Sequence, residues 1–272
     1  MHWASLQSAL FPILTMLVIF GGGALLEHAL PAEFGQPARN ARFNLLYGVV
    51  SAGLRFGLMP VLGVLVTILI NGLGGGWITL PGHGWALLGS AILYVLVIDF
   101  LEFAFHRAQH AAPFLWAMHS FHHSDRAVNV STAARNYWLE SPIKILFVYP
   151  VAAVLFRVPP AVLAIYAGTT VWHSVNHLNI RWRLPIPWFV LNNPQFHRIH
   201  HSVLPEHRDK NFSPYFPIWD VIGGTAHAPK PDEYPPTGLN EEPAAITFAD
   251  AILWPWRHRL RKESAIAAST VG

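Results

Sequence analysis

The chain has 272 residues, 53% of them hydrophobic and only 12% charged, with a formal net charge of +3. About a quarter of a soluble domain's residues are charged, so this composition points to an integral membrane protein and gives no reason to expect a nucleic-acid partner. With no cysteine, disulfides, cysteine-ligated iron–sulfur clusters and thiolate-ligated haem are excluded.

The first apolar run, from about Ala9 to Leu26, is long enough to cross a bilayer of about 30 Å. No Lys or Arg precedes it, which favours a retained helix over a cleaved signal peptide. Glu27 to Arg42 reads as a polar, proline-containing connector. Leu45 to Ile70 is a second hydrophobic segment, interrupted by Arg55, Gly57 and Pro60. An arginine at membrane depth is costly unless it finds a partner or reaches the interface. Arg55 is therefore expected at a shallow helical start, with the span beginning near Leu58.

Asn71 to Gly84 is a glycine-rich loop without Lys or Arg, and Trp85 to about Phe105 is a third apolar segment. Asp99 and Glu102 lie in its last turns. Carboxylates so placed can orient metal-bound imidazoles through the second ring nitrogen, the role expected of Asp99 first and Glu102 second. Pro142 to Phe156, the break Arg157-Val158-Pro159-Pro160, and Ala161 to Val171 form a hydrophobic helical hairpin. Each arm is short for a span, so re-entrant and tilted forms both stay open.

After Ile180 the chain turns polar and proline-rich to about Pro243, as expected of a water-facing cap. Trp182, Trp188, Trp219, Trp254 and Trp256 suit an interfacial belt or core packing. The stretch from Trp256 to Lys262 is basic and suits anionic headgroups. Basic residues are frequent in 106–144 and 181–262 and absent from 71–84. The positive-inside rule then places the histidine-rich end in the cytoplasm and the N-terminus outside. The expected fold is an all-α membrane bundle of three spans plus a hairpin, with a cytoplasmic histidine-rich cap. Residues 1–90 would hold the N-terminal helices, 91–240 the catalytic part and 241–272 the basic tail.

Ten of the sixteen histidines fall into four motifs: His106/His110, His119/His122/His123, His173/His177 and His197/His200/His201. Positions i, i+3 and i+4 share one helix face, so each motif is a claw of imidazoles. Neutral imidazole is a common ligand for transition metals, and ten is about twice what one ion holds. The pattern predicts a two-metal site at which all ten converge. A zinc-dependent membrane hydrolase is a competing reading, but none of the motifs carries the Glu of HExxH. A metal transporter or binding protein would set its ligands near the bilayer midplane, whereas these lie at helix ends and in the cap.

The stretches HRAQHAAPFLWAMHSFHHSD, HSVNHLN, FHRIHHS and NFSPYFPIWDVIGGT resemble the fatty acid hydroxylase/sterol desaturase superfamily of membrane di-iron enzymes, from about Asp99 to Thr225. The resemblance implies two iron ions held by the ten histidines, O2 as co-substrate, and oxidation of an unactivated lipid C–H bond. It leaves hydroxylation and desaturation both open. No dinucleotide fingerprint is present, so a separate electron-transfer protein is expected. Asp125 and Asn176, which adjoin ligands, are the leading supporting or catalytic candidates. Behind them stand Arg135, Glu140, Asn179, Asp209, Asn211 and Asp220, with His207 as a spare ligand. A lipid is expected to reach the metals between the third span and the hairpin, along a lining dominated by Leu, Phe, Tyr and Ala.

Overall fold

The computed structural model describes residues 18–182, 186–239 and 245–257. Residues 9–17 of the first apolar run and the basic tail beyond Arg257 lie outside the described residues. The fold is mostly helical: α1 (Val18–Ala29), α2 (Ala38–Gly72), α3 (Gly84–Ala111), α4 (Pro113–His123), α5 (Glu140–Leu155), α6 (Pro160–Thr169), α7 (Val171–Asn176), α8 (Pro194–His200) and α9 (Ile218–Gly223). A further helix, α10, covers residues 248–257.

Among the described residues, one helix (α3) is both long and apolar enough to cross a membrane. The outward faces of the other long helices are apolar as well. Leu46, Val49, Val61, Val64, Leu65 and Ile68 of α2 stand exposed, as do Phe147 and Val151 of α5. A contiguous apolar surface of this extent is unusual on a water-soluble monomer.

Two expectations about the N-terminal half are corrected. The connector is shorter than Glu27–Arg42, because α1 runs to Ala29 and α2 already contains Arg39 and Arg42. The segment between them is tied down. The Glu27 carboxylate accepts hydrogen bonds from the backbone N–H groups of Val130 and Asn179, and Glu33 pairs with Arg198 at 2.6 Å. Arg55 does not begin a helix, since α2 is continuous from Ala38 to Gly72. It is accommodated in mid-helix because its guanidinium donates to the Ser141 hydroxyl of α5 at 2.9 Å and to the Ser51 carbonyl.

The hairpin reaches the far pole of the bundle. Its break forms a two-residue strand, β2 (Phe156–Arg157), parallel to β1 (Ile78–Thr79) in the loop that precedes α3. The core between α3 and the hairpin holds Tyr94, Val95, Ile98, Val148, Ala152, Phe156, Val162 and Tyr166. A second core, of Phe43, Tyr47, Met118, Phe121, Tyr137, Ala251 and Trp254, joins α2, α4 and α10.

Of the five tryptophans suited to an interfacial belt or to core packing, three are claimed by packing. Trp254 is buried and donates to the Ser120 hydroxyl, Trp219 donates to Asp99, and Trp188 stacks on Phe196. Trp256 is exposed; so are Trp77 and Trp85 at the opposite pole.

Candidate metal centre

Proline and asparagine set the helix ends that carry the histidines. Pro113 disfavours helical geometry for the residue before it. Ala112 is accordingly extended (φ −91°, ψ 121°), which ends α3 and lets α4 start with proline in its first turn. Asn193 caps α8 by accepting from the Gln195 and Phe196 N–H groups, again with proline in the first turn, a favourable N-terminal combination. His110 lies in the last turn of α3, His122 and His123 in that of α4, His173 in that of α7, and His197 and His200 in that of α8. Helix C-termini carry partial negative charge, so four of them are directed at this one region and favour a cation there.

The claws interleave. Ligand atoms of His106, His110, His119, His123 and His200 lie within 4.8 Å of one another, and so do those of His122, His177, His197 and His201. In both HxxHH motifs the i, i+4 pair stays together while the middle histidine crosses over. Thus α4 sends His122 to the group built on α7 and α8, and α8 sends His200 to the group built on α3 and α4. The groups adjoin, with the His123 and His201 rings stacked at 4.5 Å. His173 belongs to neither group. Its ring lies 4.7 Å from that of His177 and hydrogen-bonds the Ala133 backbone.

The ring nitrogens away from the centre are held by acceptors: His106 Nδ1 by the Phe212 carbonyl (2.7 Å), His119 Nδ1 by Glu140 Oε2 (2.8 Å), His110 Nδ1 by Asp209 Oδ1 (3.1 Å), His122 Nδ1 by the Arg135 carbonyl (3.2 Å), His177 Nδ1 by the His173 carbonyl (2.7 Å) and His200 Nδ1 by the Lys210 carbonyl (2.7 Å). A neutral imidazole has one N–H, and here it is committed outward, which leaves Nε2 as a bare lone pair. Yet Nε2 atoms face one another at 3.0 Å (His106–His119) and 3.1 Å (His122–His177). Two lone pairs at that distance repel unless a cation lies between them. Two nitrogens bound to one first-row ion at about 2.1 Å would be separated by roughly 3.0–3.4 Å. Nε2 of His200 and both nitrogens of His201 are buried without a partner.

Protonation is not the remedy. Burial, followed by neighbouring imidazoles, holds His122, His123, His177, His197 and His201 well below the ordinary imidazole range. Burial likewise pushes His200 down to about 3 and His173 down to about 4. The residues fit a pair of transition-metal ions.

The carboxylates that face imidazoles are Glu140 and Asp209, two of the lesser candidates, and not Asp99 or Glu102. Asp99 instead accepts from the Tyr215 and Phe216 N–H groups and from Trp219 Nε1, so it anchors the 212–219 segment to α3. Glu102 pairs with Lys144 at 2.7 Å and accepts from the Tyr166 hydroxyl. Glu140 and Asp209 hold His119 and His110. The backbone carbonyls that hold His106, His122, His177 and His200 leave no side-chain signature in a sequence.

Asp125 is buried and accepts from Asn44 Nδ2 (2.7 Å), the Thr132 hydroxyl (2.8 Å) and the Ala127 N–H (3.1 Å), so its contacts lie behind the claws. Asn176 donates to the Pro214 carbonyl while its Oδ1 is buried without a partner. Arg135 is fully enclosed, with its guanidinium on the Phe121 and Ala245 carbonyls, Asn44 and Ser124. Asp220 gathers the Phe212 and Ser213 N–H groups. Asn179 joins the Glu33 segment to the cap. Asn211 clamps the His227 backbone. His207 stands apart from the ten, beside His227 and Glu233.

A cavity of about 360 Å³ opens onto His106, His119, His122, His173 and His197. Its walls come from α3 and the hairpin, as expected, with Arg55 of α2 added. The expected apolar lining is corrected. Phe105, Tyr149, Tyr166 and Tyr215 contribute, but no Leu does, and Arg55, Glu102, Glu140, Ser141 and Lys144 make one wall polar. These charges are tolerated because each is partnered: Glu102 by Lys144, Arg55 by the Ser141 hydroxyl, and Glu140 by Gln109, His119 and the Tyr137 N–H.

Residues 91–225 match the fatty acid hydroxylase family. The chain is 35% identical to human (Homo sapiens) alkylglycerol monooxygenase over 134 residues, covering 49% of this chain and 29% of that protein. It is 32% identical to the Xenopus tropicalis alkylglycerol monooxygenase over 140 residues, 49% of this chain and 29% of that protein. To the ornithine lipid hydroxylase OlsE of Rhizobium tropici it is 26% identical over 179 residues, 66% of this chain and 54% of that protein. The match thus spans under a third of each of these alkylglycerol monooxygenases. No solved structure matches significantly.

Proposed function

Since residues 91–225 of this chain belong to the fatty acid hydroxylase/sterol desaturase superfamily, we propose that it is a membrane-bound, O2-dependent hydroxylase of an amphiphilic lipid, with two iron ions. The observation that carries the reading is the set of outward-fixed imidazoles whose bare Nε2 atoms face each other at 3.0–3.1 Å. His106, His110, His119, His123 and His200 would hold one iron, and His122, His177, His197 and His201 the other, with His173 beside the second. Two irons held there would supply an oxidant, drawn from O2 and two external electrons, strong enough for an alkyl C–H bond. The balance is R–H + O2 + 2 e⁻ + 2 H⁺ → R–OH + H2O. Hydroxylation is favoured over desaturation because the relatives above are named as monooxygenases and hydroxylases.

The protein's own share is positioning. Glu140 and Asp209 keep His119 and His110 in the tautomer that presents Nε2. The α3–hairpin wall admits an alkyl chain, and Arg55, Glu102, Ser141 and Lys144 receive a polar group close to the oxidised carbon. Asn176, which lines the cavity, would contact substrate, whereas Asp125 would act through Asn44 and Thr132. The exposed apolar helix faces suit an integral membrane protein, and the uneven placement of basic residues suits a cytoplasmic histidine site. Electrons would come from a separate electron-transfer protein.

Comparative lipid mass spectrometry of cells with and without the gene, under 18O2, tests this. A polar lipid carrying one 18O only in the gene-containing cells is expected. An unchanged lipid profile from protein that retains its metal would overturn the proposal.

A further inference from the structure

Outside the ten-histidine centre, the cap brings together a second kind of donor set. Nε2 of His207 lies 3.3 Å from Glu233 Oε1, and Nε2 of His227 lies 3.6 Å from the same oxygen. The three ligand atoms fall within 4.8 Å of one another. Donors on a tetrahedral ion with bonds of about 2.0–2.2 Å are about 3.3–3.6 Å apart.

Each donor is oriented from behind. His207 Nδ1 lies 2.9 Å from the Ser202 hydroxyl, which also accepts from the Leu204 N–H. Glu233 Oε2 accepts from the Lys230 N–H, leaving Oε1 toward the imidazoles. The His227 backbone is gripped on both sides by Asn211, whose Oδ1 accepts its N–H at 2.7 Å and whose Nδ2 donates to its carbonyl. His227 Nε2 is buried with no hydrogen-bond partner. His207 is 2% exposed, while the side chains of His227 and Glu233 are 22% and 17% exposed, so water can reach a fourth position.

We propose that His207, His227 and Glu233 form a third metal site, for a single divalent transition ion. Two imidazoles and one carboxylate in tetrahedral spacing make zinc the fitting occupant. The ion would clamp the loop after α8 to the segment 227–233. That loop also carries Asp209, which faces His110, and the Lys210 carbonyl, which holds His200. Asp209 and Asn211 there take φ of 56° and 60°, a left-handed conformation that costs free energy in non-glycine residues and needs fixing from outside. The clamp supplies that fixing, so the third ion would steady the frame of the other two without touching them.

The test uses the purified full-length protein equilibrated with zinc, compared with His227→Ala and Glu233→Gln. Both substitutions are at partly exposed positions. Metal per chain should fall by one equivalent in each variant. The affinity lost should exceed the roughly 10–100-fold that follows loss of an outer hydrogen-bond partner. With the ten-histidine centre filled with iron beforehand, added zinc should raise the melting temperature of the wild type and not of Glu233→Gln. His122→Ala should lose metal from the ten-histidine centre and keep this zinc-dependent shift, which separates failure at one site from failure at the other. Equal metal content in the wild type and both variants, or a zinc response that survives Glu233→Gln, overturns the proposal.

Discussion

Replacing Glu140 by glutamine probes how the centre holds its ligands. The Glu140 carboxylate serves three donors: His119 Nδ1 at 2.8 Å and Gln109 Nε2 at 2.7 Å on Oε2, and the Tyr137 N–H at 2.8 Å on Oε1. Glutamine keeps the volume but offers one acceptor oxygen and one NH2 group. If its oxygen turns to Tyr137, the NH2 faces His119 Nδ1. That ring must then move its proton to Nε2, the atom presented to the metal. If its oxygen turns to His119, the buried Tyr137 N–H is left unpaired. Losing a hydrogen bond to a charged group costs about 1.5–3 kcal/mol, or roughly 10–150-fold in an equilibrium. The range agrees with the roughly 10–100-fold seen when outer partners of metal ligands are removed. Metal release to a chelator, followed by elemental analysis, should be at least tenfold faster in Glu140→Gln, with a lower melting temperature from the buried donor left unpaired. Equal release rates would refute the assignment of Glu140 as the group that fixes His119.

His122→Ala and His200→Ala should abolish turnover while leaving membrane insertion intact, because insertion depends on the apolar helices; normal activity at full metal occupancy would contradict their roles. Asp125→Ala, removed from the imidazoles by its contacts with Asn44 and Thr132, should keep a measurable rate in the same assay. Asp99→Asn leaves one acceptor oxygen for the three donors Tyr215 N–H, Phe216 N–H and Trp219 Nε1. The cap should lose about 1–3 kcal/mol of stability, read as a lower melting temperature. The metal-stripped protein should lose stability in acid. The folded pKa of His173 is down to about 4 and that of His200 to about 3, so the unfolded chain binds more protons below about 6.5. Stability should therefore be flat above pH ~6.5 and fall from there toward pH ~4 and ~3, and a flat profile through that window would argue against buried, neutral imidazoles.

The histidine spacing was legible because helical periodicity converts it directly into shared faces: His106/His110 and His119/His123 meet as i, i+4 pairs. The crossing of His122 and His200 was not legible, because it depends on how α4 and α8 pack and not on either helix alone. Asp99 misled for a related reason. Proximity to HRAQH in sequence suggested a partner for imidazole, but seven residues of helix set Asp99 about 10 Å along α3 from His106, where it meets the 215–219 segment instead. Glu140 reaches His119 from a helix 21 residues away. Arg55 shows the limit of hydropathy. An arginine in an apolar run argued for an interface, and only the tertiary contact with Ser141 explains how it is housed in mid-helix. The polar cavity wall follows from the same packing, since Glu102 and Lys144 look isolated in sequence and are paired in space.

Interleaving has a consequence for stability as well as for chemistry. On the two-ion reading, one ion joins α3, α4 and α8, and the other joins α4, α7 and α8. Neither ion could be released without leaving bare nitrogen atoms of several helices opposed inside a buried centre. Metal binding is then coupled to the fold of the cap, as it is wherever ligands meet only in the folded chain. Helices ending in lone pairs and in carbonyl dipoles of the same sign do not assemble by their own electrostatics; the apolar cores behind them must offset the repulsion until a cation arrives. Those cores, Tyr94 to Tyr166 on one side and Phe43 to Trp254 on the other, flank the centre and keep the claws aimed at one another. The same rigidity that opposes metal loss also fixes the cavity beside His106, His122 and His173, so a substrate carbon would be presented to a site whose geometry is set before it arrives.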